Sequence, residues 1–579
     1  MHSAWLVVLT FCATVLAQSG SIEDYINSEA PISKANLLAN IGPNGSRSSG
    51  AKAGLVIASP STSDPDYLFT WTRDSALVFK SLIDQYTLSE DTSSSLRSSI
   101  DDYVAAQTVL QQLTNPSGTV STGGLGEPKF NINLTTFTDG WGRPQRDGPG
   151  LRAIALITYA NWLIDNSNAS YVTNTLWPVI KLDLDYTAKY WNQSGFDLWE
   201  EVSSRSFFTT AAQHRSLRQG VTLASKIGQT SVISEYTTQA NNLLCFLQSY
   251  WNPTDNYVTS NTGGGRSGKD ANSVLASIHS FDASAGCDAR TFQPCSDKAL
   301  ANHKVYVDAF RTIYSINNAT ADNKAVATGR YPEDVYYDGQ PWYLATAAAA
   351  EQLYNALTVW TAQESLEVTS TSLAFFCQFS SSVQTGTYAA SSSTFTTLTT
   401  AIKAYADGFI LVNAKYTPAD GSLAEQFHKD DGHPLSAKHL TWSYPATLTA
   451  FAARKGVVPA GWGAKDLAVP SVCESNLGPQ VTMSFNLIAS TVKNEKISIV
   501  GSIDALSNWS PDDAHTLKSS PYLLNYSIWN INLKIPASTR FEYKFIRKVN
   551  GTLTAWESDP NRSYETPAKG IKVLVQNWR

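Results

Sequence analysis

The hydrophobic periodicity of the chain changes once, and this change constrains the fold more than any other feature. Up to about residue 460, apolar residues recur at helical spacing between loops that contain Gly and Pro. After Trp462 the period becomes two, because Val481, Met483 and Phe485 alternate with polar residues as in a half-buried strand. The sequence therefore predicts a long all-α region followed by a small all-β domain.

Two kinds of predicted helix imply two layers in the all-α region. The apolar residues of segment 236–250 form one stripe, which should pack on one side only. Segment 151–164 is apolar on almost every side and should be enclosed by other helices. Roughly a dozen such segments suit an inner ring wrapped by an outer ring, with functional loops at one mouth. The other clear segments are residues 74–86, 96–113, 301–316, 343–361 and 394–412.

The all-β part should form a sandwich or an open barrel. Strand-like alternation recurs at residues 529–535 and 541–545, and a last strand should bury the face that holds Val573 and Val575. The Ser/Thr-rich stretch 380–400 is not an interdomain linker, because helical segments resume after it. The expected organisation is a signal peptide at 1–17, a helical domain at 18–470, a linker at 471–479 and a β-domain at 480–579.

Composition excludes several kinds of partner. Charged residues make up 16% of the chain, the formal net charge is −6 and no long Lys/Arg run occurs. A nucleic acid or an anionic membrane would require a positive surface. No apolar stretch is long enough to span a bilayer. We therefore expect a neutral ligand, no nucleic-acid partner and no membrane partner.

The N-terminal residues predict secretion. Residues 4–17 form a short apolar run that ends in small residues, as a secretory signal does, although the usual Lys or Arg at its start is missing. Cleavage after Ala17 would leave a soluble, secreted protein. Glycosylation sequons agree with this expectation. They lie at Asn44, Asn133, Asn168, Asn192, Asn318, Asn508, Asn525, Asn550 and Asn561.

The cysteines suggest disulfides rather than a metal site. Cys12 would leave with the signal, so one of the five others must stay unpaired. Cys287 and Cys295 bracket a short loop and are the easiest pair to propose. Cys377 should be buried and free, which leaves Cys245 and Cys473 as a long-range pair. No Cys or His cluster was found with zinc spacing, so neither a metal nor a cofactor is expected.

An acidic pair beside a tryptophan is the first candidate for chemistry. Hydrolysis of a glycosidic bond requires one carboxylic acid and a second carboxylate that activates water or attacks directly. Glu200 and Glu201 follow Trp199, and desolvation near an indole would favour a protonated acid. From this segment alone, however, an acidic pair that faces solvent near a helix start is the simpler interpretation.

Six ordered blocks change that balance, because they resemble the fungal glucoamylases of glycoside hydrolase family fifteen. The blocks are PDY at 65–67 with TWTRD at 70–74, STGGLGEPKF at 121–130, WGRPQRDGP at 141–149, FDLWEE at 196–201, GRYPED at 329–334 with PW at 341–342, and GSLAEQ at 421–426 with LTWSY at 440–444. The resemblance implies an (α/α)6 barrel that releases β-glucose from non-reducing ends of starch with inversion. It implies cleavage of α-1,4 bonds and, more slowly, of α-1,6 bonds.

The resemblance also assigns the catalytic roles. Glu200 matches the general acid and Glu425 the general base. Asp197 is a rival base, since it lies in the same block as Glu200. If that block were helical, the two carboxylates would lie on one face about 5 to 6 Å apart at Cβ, without room for the attacking water. Glu425 is therefore favoured, and Asp197 is expected to orient or tune Glu200.

Further matched residues should bind the sugar. Arg73 and Asp74 match a clamp on the terminal glucose, with a helix-start ion pair as the alternative, and Arg330 matches a second clamp. Ser436 matches a hydroxyl partner of the base. Leu198 and Glu201 are expected contacts. The matched aromatic lining, for which core packing is the alternative, comprises Tyr67, Trp71, Trp141, Trp199, Trp342 and Trp442, with Trp141 as the principal contact.

The β-domain resembles the starch-binding modules of carbohydrate-binding family twenty. The resemblance rests on VGS at 500–502, NW at 508–509, FEYKFI at 541–546 and WESDPNR at 556–562. It implies that Trp509 and Trp556 stack glucose rings and that Lys544 donates to hydroxyls, with Tyr522 in a second site. Ser498 stands where that site usually has an aromatic residue, which weakens it. A glycan on Asn508 could obstruct the first site.

Two alternatives remain open. Another exo-acting helical-barrel hydrolase, acting on trehalose or dextran, would share the architecture, and release of glucose from soluble starch distinguishes it. A non-catalytic starch-adhering protein would require a vestigial acid and base. The expected partners are starch, maltooligosaccharides and raw granules, and the expected oligomeric state is a monomer. The short linker should keep the two domains close together.

Overall fold

A computed structural model describes residues 21–471, 480–523, 526–537 and 539–579 of the chain. The predicted signal peptide and residues 472–479 of the predicted linker lie outside the described residues. Within these ranges every α-helix ends before the first strand of the β-domain begins, and only a short 3-10 helix, Asp504–Trp509, follows it. No helix of the described ranges has the length and apolarity that a membrane crossing requires.

Twelve helices of nine or more residues make up the described helical domain. They are α1 Ile22–Leu38, α2 Thr72–Thr87, α3 Ser94–Gln112, α4 Asp147–Asp165, α5 Trp177–Tyr190, α6 Phe207–Lys226, α7 Ile233–Leu247, α8 Ala271–His279, α9 Asp297–Asp308, α10 Tyr343–Ala362, α11 Ser393–Tyr416 and α12 Ser443–Arg454.

The helices form two concentric rings. Each even-numbered helix packs on the next even-numbered one, and α12 returns to α2, so these six close an inner ring. Each odd-numbered helix packs outside a member of that ring. Helix α4 confirms the prediction of an enclosed helix, because its residues 147–160 are all buried. The predicted (α/α)6 architecture is therefore confirmed.

A buried arginine inside the helical layers is paired with a carboxylate. Arg152, the charged residue within the largely apolar segment 151–164 of α4, is 2% exposed. Its Nη2 and Nε donate to the two carboxylate oxygens of Asp183 at 2.6 and 2.8 Å. Its Nη1 donates to Gln107 at 2.9 Å. Because a buried charge is costly without partners, this pair ties α4 to α5 and α3.

One predicted helix lies in the wrong place. The segment predicted at 301–316 is α9, which begins and ends earlier, at Asp297 and Asp308. Ser296 caps its first turn by accepting a hydrogen bond from Ala299 N at 3.2 Å. After the helix, Arg311 holds a loop by donating to the carbonyl oxygens of Ala321 and Asp322. The apolar residues that follow Asp308 therefore belong to a packed loop.

The β-domain contains nine described strands in two sheets. One sheet has the order β4-β5-β1-β9, and the other has the order β3-β2-β6-β7, with β8 also paired to β6. The strands are β1 Gln480–Ala489, β2 Glu495–Gly501, β3 His515–Thr516, β4 Lys518–Leu523, β5 Tyr526–Pro536, β6 Arg540–Val549, β7 Thr552–Trp556, β8 Arg562–Glu565 and β9 Ile571–Asn577.

The core of the β-domain follows the predicted alternation in β1 but not in β9. Val481, Met483 and Phe485 are fully buried. Val573 and Val575 are instead 52% and 65% exposed. They pair with polar outward-facing residues of β1, while the intervening Leu574 packs against the core. The prediction for this strand was wrong by one residue, and such a shift moves every side chain to the other face.

The cysteines largely match their predictions. Cys287 and Cys295 form a disulfide with a Cα–Cα distance of 4.8 Å, as predicted. Cys377 is free, although it is half-buried rather than buried. Cys245 is disulfide-bonded, and its predicted partner Cys473 lies outside the described residues.

Candidate active site

A pocket of about 350 Å³ lies at the N-terminal ends of the inner helices. Arg73 and Asp74 are the second and third residues of α2, while Trp342 and Trp442 directly precede α10 and α12. Helix N-termini carry partial positive charge and favour anionic side chains. The ring of inner helices therefore directs its positive ends at the carboxylates of this pocket.

The structure brings together almost all of the sequence-predicted site residues. Ser436 does not line the pocket but contacts Glu425, which does. Asp197 does not line the pocket. The predicted residues that line it are Tyr67, Trp71, Arg73, Asp74, Trp141, Leu198, Trp199, Glu200, Glu201, Arg330, Trp342, Glu425 and Trp442.

Glu200 is presented by the turn of a short hairpin whose strands are Gly195–Phe196 and Ser203–Ser204. Its backbone is in the left-handed region, with a φ of 67°, which is unfavourable for a residue with a Cβ. One carboxylate oxygen accepts from Arg73 Nη2 at 2.8 Å and the other from Trp141 Nε1 at 2.5 Å. Both oxygens are thus fixed in place.

Burial shifts the pKa of Glu200 upward. Desolvation raises its pKa above the ordinary value, although Arg73, Gln145 and Trp141 stabilise the ionised form. The neighbouring Glu201 has the opposite shift. Burial would raise its pKa, but Arg330 and Tyr331 outweigh that effect and hold it below the usual range. The two carboxyl groups of the acidic pair therefore have pKa values that are shifted in opposite directions.

The segment that holds Asp197 and Glu200 is a hairpin turn and not a helix. The helical spacing considered for these two carboxylates therefore does not apply. Asp197 is fully buried. One carboxylate oxygen accepts from the backbone N–H groups of Glu201 and Val202 at 3.0 and 3.1 Å. The other accepts from Asn261 Nδ2 at 3.2 Å. Its carboxylate is thus used to hold the turn that carries Glu200.

Glu425 precedes a second hairpin, formed by Gln426–Phe427 and Pro434–Leu435. It is 2% exposed, and its backbone N–H donates to the carbonyl of Ala437 at 2.9 Å. Ser436 Oγ donates to its carboxylate. Desolvation raises the pKa of Glu425 to about 7, against the lowering effects of Ser436 and Arg330.

Arg73 and Asp74 form the expected pair at a helix start and also line the pocket. They lie at a helix start, with Arg73 Nε and Asp74 Oδ2 3.8 Å apart. Arg73 also donates to Asp147 and Gln145, each at 2.9 Å. Because it is also bonded to Glu200, this guanidinium links the base of the pocket to the candidate acid. Burial raises the pKa of Asp74 to about 6.

Arg330 anchors the other side of the pocket. Its Nη2 donates to Glu201 at 2.9 Å and to Asp334 at 2.6 Å. The guanidinium also lies over the rings of Trp199 and Trp342, at 5.5 and 5.2 Å from their centroids. Arg330 therefore braces the aromatic wall as well as the acidic turn.

The aromatic wall consists of rings in contact with one another. Trp199 lies 5.6 Å from Trp342 and 6.3 Å from Trp442, measured between centroids. Trp71 lies 5.8 Å from Trp141 and 5.4 Å from Tyr67. Such faces suit the apolar C–H faces of a sugar ring. Core packing and pocket lining are not alternatives here, since the same tryptophans do both.

Sequence reasoning missed three polar side chains, one that lines the pocket and two that contact its tryptophans. Tyr336 lines it, and its hydroxyl lies 3.0 Å from that of Tyr67. Lys129 Nζ lies 3.7 Å from the centroid of the Trp141 ring. Asp270 accepts a hydrogen bond from Trp199 Nε1 at 2.8 Å. Lys129 lies within a matched block, which could have revealed it, whereas Tyr336 and Asp270 lie outside the matched blocks.

A larger cavity of about 650 Å³ is lined by residues of the inner helices, of α1 and of the segment that follows α12. Leu275, Leu448 and Phe451 are among its residues, with the ion pair of Lys80 and Asp84 at 2.5 Å. Trp442 lines both cavities. Of the two, the smaller one holds Glu200 and Glu425 within the aromatic wall, so it is the candidate active site.

The predicted binding residues of the β-domain differ in exposure and in partners. The rings of Trp509 and Trp556 lie 6.5 Å apart, and Trp556 is 40% exposed. Lys544 is 8% exposed and donates to Asp559 at 2.5 Å, so its ammonium already has a partner. Ser498 is fully buried, and its hydroxyl lies 3.1 Å from that of Thr516. The side chains of Tyr522 and Asn508 lie outside the described residues.

The statement that no His cluster has zinc spacing was wrong. His428 and His433 are separated by four residues, a spacing that occurs in zinc sites. Together with Asp431 they form a group of potential ligands on the hairpin that follows Glu425.

Comparisons with known proteins cover both domains. A family model described as glycosyl hydrolases family 15 matches residues 31–452, and one described as starch binding domain matches residues 480–575. The chain is 57% identical to a glucoamylase-1 of Schizophyllum commune, over 99% of each chain. Its fold resembles a family 15 glucoamylase structure from Hypocrea jecorina, with 49% identity, a TM-score of 0.77 and coverage of 96% of this chain and 100% of the other. A glucoamylase structure from Hormoconis resinae has 42% identity, a TM-score of 0.76 and coverage of 96% and 98%.

Proposed function

Since the chain belongs to the glycosyl hydrolases of family 15 and carries a starch binding domain, we propose that Glu200 and Glu425 are the general acid and base with which it cleaves starch. The family and its relatives identify a glycoside hydrolase, a glucan 1,4-α-glucosidase that acts on starch. The observation that carries the assignment of roles is that two glutamates with raised pKa values, Glu200 and Glu425, line one aromatic-walled pocket.

In the proposed reaction, Glu200 protonates the glycosidic oxygen of the departing chain. Its raised pKa keeps the proton available, and Arg73 and Trp141 aim its two oxygens. Glu425, once ionised, removes a proton from a water that attacks the anomeric carbon from the opposite face. Ser436 favours that ionised form by donating to it. This arrangement leads to inversion and to release of β-glucose.

We propose exo-action from the shape and charge of the pocket. Trp442 lies between the pocket and the larger cavity, so the pocket ends there. Arg73 and Asp74 are 4% and 8% exposed at this end and offer charged donors and acceptors to the terminal hydroxyls. A chain end enters such a site, whereas the middle of a chain does not. The same pocket would accept an α-1,6-linked end less readily.

The wider proposal is a secreted, monomeric enzyme whose β-domain holds it on raw starch granules. The short apolar run at residues 4–17 and the sequons support secretion. The exposed Trp556, with Trp509 beside it, supports stacking on glucose rings. The proposed domain organisation has a catalytic barrel at 18–470, a short linker at 471–479 and the starch-binding domain at 480–579.

Anomeric analysis of the first product tests the proposed mechanism. Proton NMR during digestion of a maltooligosaccharide should show β-glucose before mutarotation equilibrates it. Glu200→Gln and Glu425→Gln should each lower kcat by about 10²- to 10⁴-fold, the usual contribution of a general acid or base. The control Glu333→Gln removes an exposed carboxylate that lies outside the pocket, and it should leave kcat unchanged. Initial release of α-glucose, or near-normal turnover by Glu425→Gln, would overturn the assignment.

A further inference from the structure

The hairpin that follows Glu425 carries a group of metal-binding side chains at its tip. The turn between Phe427 and Pro434 contains His428, Asp431 and His433. The two imidazole rings are stacked, with centroids 4.7 Å apart and planes 19° from parallel. One potential ligand atom from each of the three side chains lies within 4.8 Å of the other two.

These distances are close to those of a tetrahedral metal site. Zinc bonds to nitrogen and oxygen of about 2.0 to 2.2 Å place neighbouring ligand atoms about 3.3 to 3.6 Å apart. His428 Nδ1 and Asp431 Oδ1 are already 3.3 Å apart. His433 Nδ1 and Asp431 Oδ1 are 2.6 Å apart in a hydrogen bond that a metal ion would replace. His428 Nδ1 has one weak backbone contact, from Asp430 N at 3.3 Å, which a metal ion would displace.

The backbone of the turn is held in place without a metal ion. His428 N donates to the carbonyl of His433, and Gly432 N donates to the carbonyl of His428, both at 2.8 Å. Gly432 has a φ of 81°, and a Cβ there would lie 1.9 Å from the ring of Tyr416. Only glycine fits this position. The ligands therefore need to reorient their side chains and not their backbone.

Neighbouring contacts anchor the turn to the barrel loops and set its charge. Lys429 Nζ donates to Asp338 at 2.8 Å, and its backbone N–H donates to Gln340 at 2.8 Å. Ser315 Oγ donates to Asp430 at 2.5 Å. The one ammonium of the turn is thus paired, while Asp430 and Asp431 keep negative charge beside the imidazoles. This charge favours a cation.

We propose that His428, Asp431 and His433 bind a divalent zinc-like ion, with water as the fourth ligand. Two imidazoles and one carboxylate are a ligand set that zinc accepts, and an open fourth position suits an exposed site. The ion would join the two strands of the hairpin across its tip. The same hairpin leads to Glu425 at one end and Ser436 at the other, so the ion stabilises the segment that presents the proposed base.

Calorimetric titration of the full-length protein with ZnCl2, after removal of metals with EDTA, tests the site. We expect one zinc ion per chain with micromolar affinity. His428→Ala and His433→Ala should each weaken binding by about tenfold or more, since each removes one of three protein ligands. His515→Ala is the control, because it removes a half-buried histidine of the β-domain, and it should leave the affinity unchanged.

Copper EPR and thermal unfolding separate this site from adventitious binding. A Cu²⁺ complex should show coupling to two nitrogens in the wild type and to one in either alanine variant. Saturating zinc should raise the Tm of the helical domain by about 2 to 3 °C in the wild type and not in His433→Ala. Equal zinc affinity in wild type and both histidine variants would overturn the proposal. The two variants should keep normal metal-free activity, so the test does not depend on the proposed catalytic roles.

Discussion

Three glutamates of the pocket differ through their immediate partners. Glu201 has Arg330 at 2.9 Å and Arg266 at 2.6 Å, and its pKa is held low. Glu200 has one guanidinium and an indole, and burial still raises its pKa. Glu425 has a hydroxyl as its closest donor, and its pKa is raised to about 7. At the scale of single residues, the number of cationic partners separates the carboxylate that is an anchor from the two proposed for proton transfer.

Replacing Ser436 should shift the pH dependence of the enzyme. The hydroxyl lowers the pKa of Glu425, so Ser436→Ala raises that pKa by about one unit, the worth of a hydrogen bond to a charged group. The proposed base works ionised, so the acidic limb of the kcat/KM profile should move to higher pH. The basic limb, which depends on protonated Glu200, should stay in place. The measurement is initial rate on maltooligosaccharide across the pH range.

Ser443→Ala provides the control for this shift. Ser443 is another serine that follows Glu425 in the chain, and it is buried, but its hydroxyl donates to the carbonyl of Ala424 at 2.9 Å. Its removal should leave both limbs unchanged. A shift of the basic limb in Ser436→Ala, with no movement of the acidic one, would contradict the assignment of Glu425 as base.

At the scale of elements, the helices supply a rigid ring and two short hairpins supply the proposed acid and base. Neither Glu200 nor Glu425 lies in a helix. Glu200 lies in a turn with a strained backbone, which persists because Asp197 bonds the turn from inside. Sites on loops held by a rigid scaffold are common in enzymes. The precision of the site thus depends on the side chains that hold these turns.

Asp197 variants distinguish a positioning residue from a base. Asp197→Asn should keep kcat within about tenfold, because the amide oxygen still accepts from Glu201 N and Val202 N. Asn261 Oδ1 has no partner among the described residues, so a flipped Asn261 amide can accept from the new NH2. Asp197→Ala should lose about 10²-fold through misplacement of Glu200.

Glu425→Gln, the variant of the proposed base, is the reference for this test. If Asp197 were the base, Asp197→Asn would lose about 10²- to 10⁴-fold, as the Glu425 variant should. A kcat within about tenfold of wild type in Asp197→Asn, together with a loss of about 10²-fold in Asp197→Ala, would support a positioning role. The readout is kcat on soluble maltooligosaccharide, with the Tm of each variant recorded to separate misfolding from misplacement.

At the scale of the whole molecule, two domains divide catalysis from adhesion. The helical domain encloses the pocket, and the β-domain displays a pair of tryptophans 6.5 Å apart. Lys544 is already paired with Asp559. We therefore expect the tryptophans, more than the lysine, to determine adhesion to granules.

Trp556→Ala in the full-length protein should weaken adsorption to raw starch about fivefold, since a stacked aromatic ring contributes on the order of 1 kcal/mol. Activity on soluble maltooligosaccharides should not change. Trp578→Ala is the control, because this half-buried indole packs on the core of the same domain with Arg547 at 4.2 Å. It should lower the Tm of the β-domain and spare adsorption. Unchanged granule binding by Trp556→Ala would contradict the proposed surface.

Much of the fold and of the site was predictable from the residues alone. The change of hydrophobic period separated the helical region from the strands, and ordered motif blocks identified thirteen of the pocket's residues. Periodicity reports which face of an element is buried, which is a local property. It misplaced α9, whose start is set by the Ser296 cap. It also shifted the buried face of β9 by one residue, because pairing with β1 sets the register of that strand.

The sequence by itself determined the ring of helices, the strands that follow and the residue types of the pocket, because these depend on spacing and on motifs along the chain. Only the tertiary structure decided where loop side chains point. It turned Asp197 inward, paired Lys544 with Asp559, and brought His428 and His433 together. The physical reason is that no repeat sets the direction of a side chain in a turn. That direction depends on partners distant in sequence, such as Asn261 for Asp197 and Arg73 for Glu200.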